Sequence, residues 1–267
     1  MISNPSWMTR NSLEMRNILN KNPRERLIFA LDTGSRIEEA MSWVDRLREH
    51  VGLFKVGKES FSYHGPDIIR RIESLGCQVF LDLKFHDIPN TVAAAAVAAV
   101  NLGVVMFNVH ALGGKKMMEE AVTATRKAAR QADLPAPVVL AVTVLTSLND
   151  DDLKDLGFNR SASLLALHLS RMAQDAGVSG VVASAHDVEA IRGACGQDFM
   201  IVTPGIRGSV LAGDDQKRVW TARDAVAIGS DYVVVGRPIR TADDPVHQAD
   251  RIVQEITEGL AIREKVV

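Results

Sequence analysis

Short apolar runs rich in β-branched residues alternate along this chain with longer segments of helical period. The runs are Leu27–Leu31, Leu53–Val56, Gln78–Leu81, Val104–Val109, Val138–Val142, Gly180–Ala183, Met200–Val202 and Tyr232–Val235. Their apolar, β-branched character predicts strands. Between the first two runs, Ile37, Ala40, Met41, Val44 and Leu47 share one helical face, and Ser35 with Glu38 spells a capping box. Ile68, Ile69, Ile72 and Leu75 repeat the pattern, with Gly76 placed to stop that helix. Thr91–Val100 is mostly alanine and valine, which suits close packing of a helix on a sheet or a partner. Ser161–Ala176 and Pro245–Ile262 supply two more amphipathic segments, and the helix within Ser184–Gly193 is expected to be short.

Parallel strands need crossover connections, so eight runs alternating with helices predict a closed parallel sheet. The expected fold is a single (β/α)8 TIM barrel over residues 25–267. An open doubly wound sheet competes, and the number of runs and the placement of polar residues favour the barrel. Residues 1–24 are polar and irregular, with Pro5 and Pro23. They read as a short N-terminal extension outside the barrel, with a short helix near Ser12–Asn20. They lack the apolar core of a secretory signal.

Charge narrows the partners. The 31 basic and 33 acidic residues nearly cancel, which gives no global argument for nucleic acid or membrane binding. No stretch is long and apolar enough to cross a bilayer. Cys77 and Cys195 have neither metal-ligand nor redox-motif spacing, so a reducing, cytoplasmic setting is expected.

Barrel enzymes gather their chemistry at the carboxyl ends of the strands, and there polar residues interrupt the runs repeatedly. Asp32 ends the first run, and Lys55 lies within the second. The third closes on Asp82-Leu83-Lys84-Phe85-His86-Asp87. Alternation along a strand would point Asp82 and Lys84 the same way. Charges gathered there are costly to bury unless they satisfy one another or do chemistry. Lys55 could simply extend to the rim, but beside Asp82, Lys84 and Asp87 it completes a network of two cations and two anions. Thr143 and Thr146 follow the fifth run, Pro204-Gly205-Ile206-Arg207-Gly208 the seventh, and Gly236-Arg237-Pro238 the eighth. Arg207 and Arg237, each beside glycine, suit a phosphate site, because glycine admits backbone N–H groups and arginine offers a donor fork. Routine surface arginine is the alternative. Gln216 lies in a loop, Gly208–Lys217, long enough to fold over a ligand. His86 and His110 are too sparse for a metal site and read as ordinary polar contacts. Asp150–Asp152 reads as a helix cap or a solvated run, and Trp43 and Trp220 as packing residues.

These motifs, in this order, resemble the orotidine 5'-phosphate decarboxylase family. The likeness runs from Leu27 to about the final helix. It rests on Ala30-Leu31-Asp32, Lys55-Val56-Gly57-Lys58-Glu59, Asp82 to Thr91, Val142 to Ser147, Thr203 to Arg207 and Val235 to Pro238. The stretch from Asp82 to Thr91 is the most specific. The resemblance implies a homodimer with no cofactor and no metal, acting on orotidine 5'-phosphate to form uridine 5'-monophosphate. It implies that Lys55, Asp82, Lys84 and Asp87 form the charged network, with Lys84 as proton donor. Asp87 and Thr91 would complete the partner subunit's site. Asp32 and Lys55 would surround the ribose, and Thr146 and Ser147 the pyrimidine. Gln216, Gly236 and Arg237 would contact the phosphate, with Pro204 and Arg207 in that region. A metal-dependent sugar-phosphate enzyme on a similar barrel, and a nucleotide-binding barrel without activity, are the other readings.

Overall fold

All eight predicted runs are strands. In the computed structural model, which describes residues 22–207 and 220–265, they pair in parallel in sequence order and close into a barrel when β8 meets β1. In chain order the elements are β1 (Leu27–Ala30), α1 (Ile37–Leu47), β2 (Leu53–Gly57), α2 (Lys58–His64), α3 (Pro66–Ser74), β3 (Gln78–Phe85) and α4 (Pro89–Asn101). Then come β4 (Met106–His110), α5 (Lys115–Gln131), β5 (Val138–Val142), α6 (Asp150–Asp155), α7 (Ala162–Asp175), β6 (Gly180–Val182) and α8 (Val188–Cys195). The last are β7 (Met200–Thr203), α9 (Ala222–Ala227), β8 (Tyr232–Val235), α10 (Arg237–Arg240) and α11 (Pro245–Arg263). The helix expected near Ser12–Asn20 and the loop carrying Gln216 lie outside the described residues.

Alternation along each strand sorts the apolar side chains into two cores. Leu27, Phe29 and Leu31 point outward and pack with Ala40, Val44 and Leu47 of α1 and Ile68, Ile69 and Ile72 of α3. Ile28, Ala30, Leu53, Phe80, Met106, Leu140, Val202 and Val234 point inward and fill the barrel. The helices fall where the period places them. Trp43 packs on Phe29, with ring centroids 5.7 Å apart. Asn149 and Asp152 form the capping box of α6, so the acidic run Asp150–Asp152 does serve a helix start.

Two local readings change. The capping box spelled by Ser35 and Glu38 does not form: Arg36 is the residue before the first turn, and it makes no side-chain cap. Glu38 therefore occupies the second helical position, one short of the place from which it could reach back. The second change is in β3, which runs on through Phe85 rather than ending at Leu81. There the pairing slips: Leu81 faces Phe107, yet Phe85 faces Val109, so the longer step on β3 matches the shorter one on β4. That is a bulge, and Lys84 within it takes a positive φ of 51°.

The amino-terminal end of the barrel is tied by Arg192. Its guanidinium donates to the carbonyls of Gly196, Gln197, Phe199 and Gly229 and pairs with Asp231 Oδ2 at 2.7 Å. Asp231 also pairs with Arg263 at 3.3 Å. This cluster sits before β7 and β8, at the end opposite the polar rim.

Candidate active site

The inward positions change character along the strands. Leu53, Phe80 and Met106 fill the barrel. Two residues further, the same face carries Lys55, Asp82 and Asn108, all buried. Register staggers the first two along the barrel: Lys55 is level with Ala30 and Phe80, and Asp82 with Gly57. Gly57 is small for a reason: a Cβ there would lie 2.9 Å from Lys55 Nζ and 3.1 Å from Asp32 Oδ1.

The charges form one alternating line, Asp32–Lys55–Asp82–Lys84. Lys55 Nζ lies 3.4 Å from Asp32 Oδ1 and 3.3 Å from Asp82 Oδ2. Lys84 Nζ donates to the other carboxylate oxygen, Asp82 Oδ1, at 2.6 Å. Asn108 Nδ2 donates to that same oxygen at 2.6 Å, and Asn108 Oδ1 accepts from the Lys84 backbone N–H at 2.7 Å. Burial pushes the Asp82 carboxyl pKa up, but Lys55, Lys84 and the hydrogen bonds from Lys84 and Asn108 together hold it below its ordinary value. The magnitudes agree: at an effective dielectric of about 20, each lysine attracts the carboxylate by roughly 5 kcal/mol before desolvation. Asp82 is therefore an anion at neutral pH, with a cation on either side.

The period-two argument for Asp82 and Lys84 gives the correct neighbours for an incomplete reason. The bulge and the left-handed backbone of Lys84, rather than plain alternation, set where its ammonium goes. Asp87 stays outside this line within one chain. It is exposed, its carboxylate accepts from the Ile88 N–H at 2.6 Å, and it makes no ion pair among the described residues. The second anion in a single chain is thus Asp32. Thr91, in the first turn of α4, is also exposed.

The remaining expected residues lie beyond the carboxyl ends of later strands. Thr146 and Ser147 are exposed on the loop after β5, Pro204 and Arg207 follow β7, and Gly236 with Arg237 leads from β8 into α10. Gln216 falls outside the described residues. Trp220 is more than packing, since its Nε1 donates to His186 Nδ1 at 3.4 Å.

Two residues were undervalued in the sequence. Asn108 could have been found as the polar residue at an inward position of a buried run. His110, two residues on, is buried and accepts from the Leu112 N–H through Nδ1. Its ring stacks on His86 with centroids 5.4 Å apart. Burial first, then the charges of His86, Lys84 and Lys58, bring its pKa down to about 4. Among the described residues, no group of three or more His, Cys, Asp or Glu side chains is placed to hold a metal ion.

A closed parallel barrel with a lysine–aspartate line at the carboxyl ends of its strands, buried at Lys55 and Asp82, is the architecture of a barrel enzyme. The family model described as "Orotidine 5'-phosphate decarboxylase / HUMPS family" matches residues 25–252, and the chain belongs to that family. It is 63% identical over 245 residues to the orotidine 5'-phosphate decarboxylase of Syntrophus aciditrophicus (strain SB), covering 91% of this chain and 98% of the relative. It is 51% identical over 239 residues to that of Syntrophotalea carbinolica, covering 89% of this chain and 97% of the relative. Among solved structures, the orotidine 5'-phosphate decarboxylase of Lactobacillus acidophilus superposes with a TM-score of 0.76 at 37% identity, covering 86% of this chain and 98% of that one.

Proposed function

We propose that this chain converts orotidine 5'-phosphate to uridine 5'-monophosphate and carbon dioxide, without metal or organic cofactor, in pyrimidine nucleotide synthesis in the cytoplasm. The observation that carries the reading is the Asp82–Lys84 pair at 2.6 Å, flanked by Lys55 at 3.3 Å, in a chain of this family.

In this reaction the bond between C6 of the pyrimidine and its carboxylate carbon breaks. Carbon dioxide leaves, and the bonding electron pair stays on C6. The Lys84 ammonium then gives its proton to C6 and is reprotonated from solvent. Both charges of the pair act in the right sense. The Asp82 anion faces a substrate carboxylate whose negative charge disappears as carbon dioxide forms. The Lys84 cation faces a carbon on which negative charge grows. These interactions improve from ground state to transition state, which is the requirement for raising the chemical rate. A unit charge about 4 Å from the reacting carbon contributes roughly 4 kcal/mol at an effective dielectric near 20.

In this reading Asp32 and Lys55 hold the ribose, and Thr146 and Ser147 meet the pyrimidine. Pro204, Arg207, Gln216, Gly236 and Arg237 form the phosphate region. The catalytic unit spans 25–267, with 1–24 as an extension. The enzyme works as a homodimer in which Asp87 and Thr91 reach the partner's site. Supporting that, Asp87 borders an open hollow of about 570 Å³ lined also by Ile88, Pro89 and Leu112, and Ile88 is 66% exposed. A monomer by sedimentation at assay concentration would remove the shared site.

The activity is tested by following the orotate absorbance of orotidine 5'-phosphate in buffer containing a chelator. Undiminished conversion to uridine 5'-monophosphate is expected. Loss of turnover that returns on adding divalent metal would overturn the metal-free part of the proposal, and absence of turnover in both buffers would refute it whole.

A further inference from the structure

We infer that Asn108 is a positioning residue of this site, fixing the Lys84 backbone and the Asp82 carboxylate with one side-chain amide. The inference rests on the decarboxylase reading above. Three observations carry it. Asn108 is fully buried on the inward face of β4. Its Oδ1 accepts from the Lys84 N–H at 2.7 Å, and its Nδ2 donates to Asp82 Oδ1 at 2.6 Å. Lys84 stands at a positive φ of 51° inside the bulge of β3, a backbone conformation that L residues other than asparagine and aspartate rarely adopt.

The bulge explains why a side chain is needed. Where β3 slips against β4, the Lys84 N–H leaves the regular ladder, and a buried N–H without an acceptor is strongly disfavoured. Asn108 comes from the adjacent strand and supplies that acceptor, so the strained turn that aims the Lys84 ammonium is held in place. The other half of the amide settles the rotation of the Asp82 carboxylate. Oδ1 receives both Lys84 Nζ and Asn108 Nδ2, which leaves Oδ2 for Lys55 at 3.3 Å. The amide cannot be reversed, because its oxygen would then face the carboxylate and its NH2 the backbone N–H. Few side chains fit. Aspartate keeps the acceptor but sets a second anion on Asp82, serine has a single oxygen, and glutamine is one carbon too long for a slot with no exposed surface.

The test compares wild type, Asn108→Ala and Asn108→Asp for kcat and KM with orotidine 5'-phosphate, uridine 5'-monophosphate affinity, thermal melting and the acid limb of the kcat–pH profile. Asn108→Ala should lower kcat by roughly 10- to 100-fold through misplacement of the ammonium, with affinity for uridine 5'-monophosphate near the wild-type value. Loss of the hydrogen bond to ionised Asp82 raises its pKa, so the acid limb should move to higher pH. Asn108→Asp, which preserves the acceptor for Lys84 and adds an anion, should move it further. A merely structural role would lower the melting temperature and leave the limb where it is. Asn108→Asp is nearly isosteric and carries the test if Asn108→Ala does not fold. Folded variants with wild-type kcat, or with a reduced kcat and an unmoved acid limb, would overturn the inference. Wild type that fails to turn over orotidine 5'-phosphate would instead overturn the functional reading beneath it.

Discussion

Acidification should weaken this fold through His110 before it reaches Asp82, whose pKa is held below its ordinary value. The ring is buried at the end of β4, next to His86 and within the field of Lys84 and Lys58, and its pKa falls from 6.5 to about 4. In the unfolded chain the imidazole regains its ordinary value. Above pH 6.5 it is neutral in both states and costs nothing. As pH falls from there toward 4, the unfolded chain takes up a proton that the folded protein refuses, so stability drops. At 1.36 kcal/mol per pH unit, the interval amounts to about 3 kcal/mol. For a chain of this size that is a melting-temperature decrease of roughly 6 °C. Asn is the informative replacement, because its side-chain oxygen can take over from Nδ1 as acceptor for the Leu112 N–H. The assay is urea unfolding of wild type and His110→Asn at half-unit steps from pH 7.5 to 4. The histidines away from the His86–His110 stack are common to both proteins and cancel in the difference. The wild-type-minus-variant stability should fall steadily below pH 6.5 and level off near 4. A difference that stays flat across the interval would show that the ring accepts its proton in the folded state, and the account of His110 as a neutral buried imidazole would be wrong.

Arg237→Ala should raise KM for orotidine 5'-phosphate by about 10- to 100-fold, from loss of a charge-assisted hydrogen bond worth roughly 1.5–3 kcal/mol. An unchanged KM in steady-state assays would take Arg237 out of the phosphate site. Arg192→Leu should destabilise by about 3–5 kcal/mol, because Asp231 and the carbonyls that Arg192 serves are left buried without it. Its kcat at permissive temperature should match wild type, since the cluster lies at the opposite end of the barrel. Calorimetry with a melting temperature equal to wild type would contradict the first part, and a fallen kcat in folded protein the second.

The barrel was legible because parallel strands buried on both faces read as continuous apolar runs, and all eight appear here at nearly the expected residues. The charged line was half legible. Asp32, Lys55, Asp82 and Lys84 stand out as charges in or directly after apolar runs, and burying Lys55 and Asp82 is costly unless they pair. The bulge was not legible. Nothing in Asp82-Leu83-Lys84-Phe85 distinguishes a strand that slips by two residues from one that ends, since the slip is set by pairing with β4. Asn108 is legible as a polar residue in a buried run, but its role is not, because its partners come from another strand, 24 and 26 residues away. The helix start at Ser35 failed differently. A capping box depends on one residue of register, and a close apolar face does not specify where the first turn begins. Asp87 and Thr91 are exposed in one chain, so their expected role depends on a second subunit that no local pattern describes.

The proposed mechanism turns on Lys84, and Lys84→Ala is its most direct test. On that mechanism, removing the ammonium deletes both the proton donor and the cation facing C6, so kcat should fall by at least about 10,000-fold. The variant should still melt cooperatively and still bind uridine 5'-monophosphate through the ribose and phosphate contacts. A folded Lys84→Ala protein that releases carbon dioxide from orotidine 5'-phosphate at close to the wild-type rate would contradict the account.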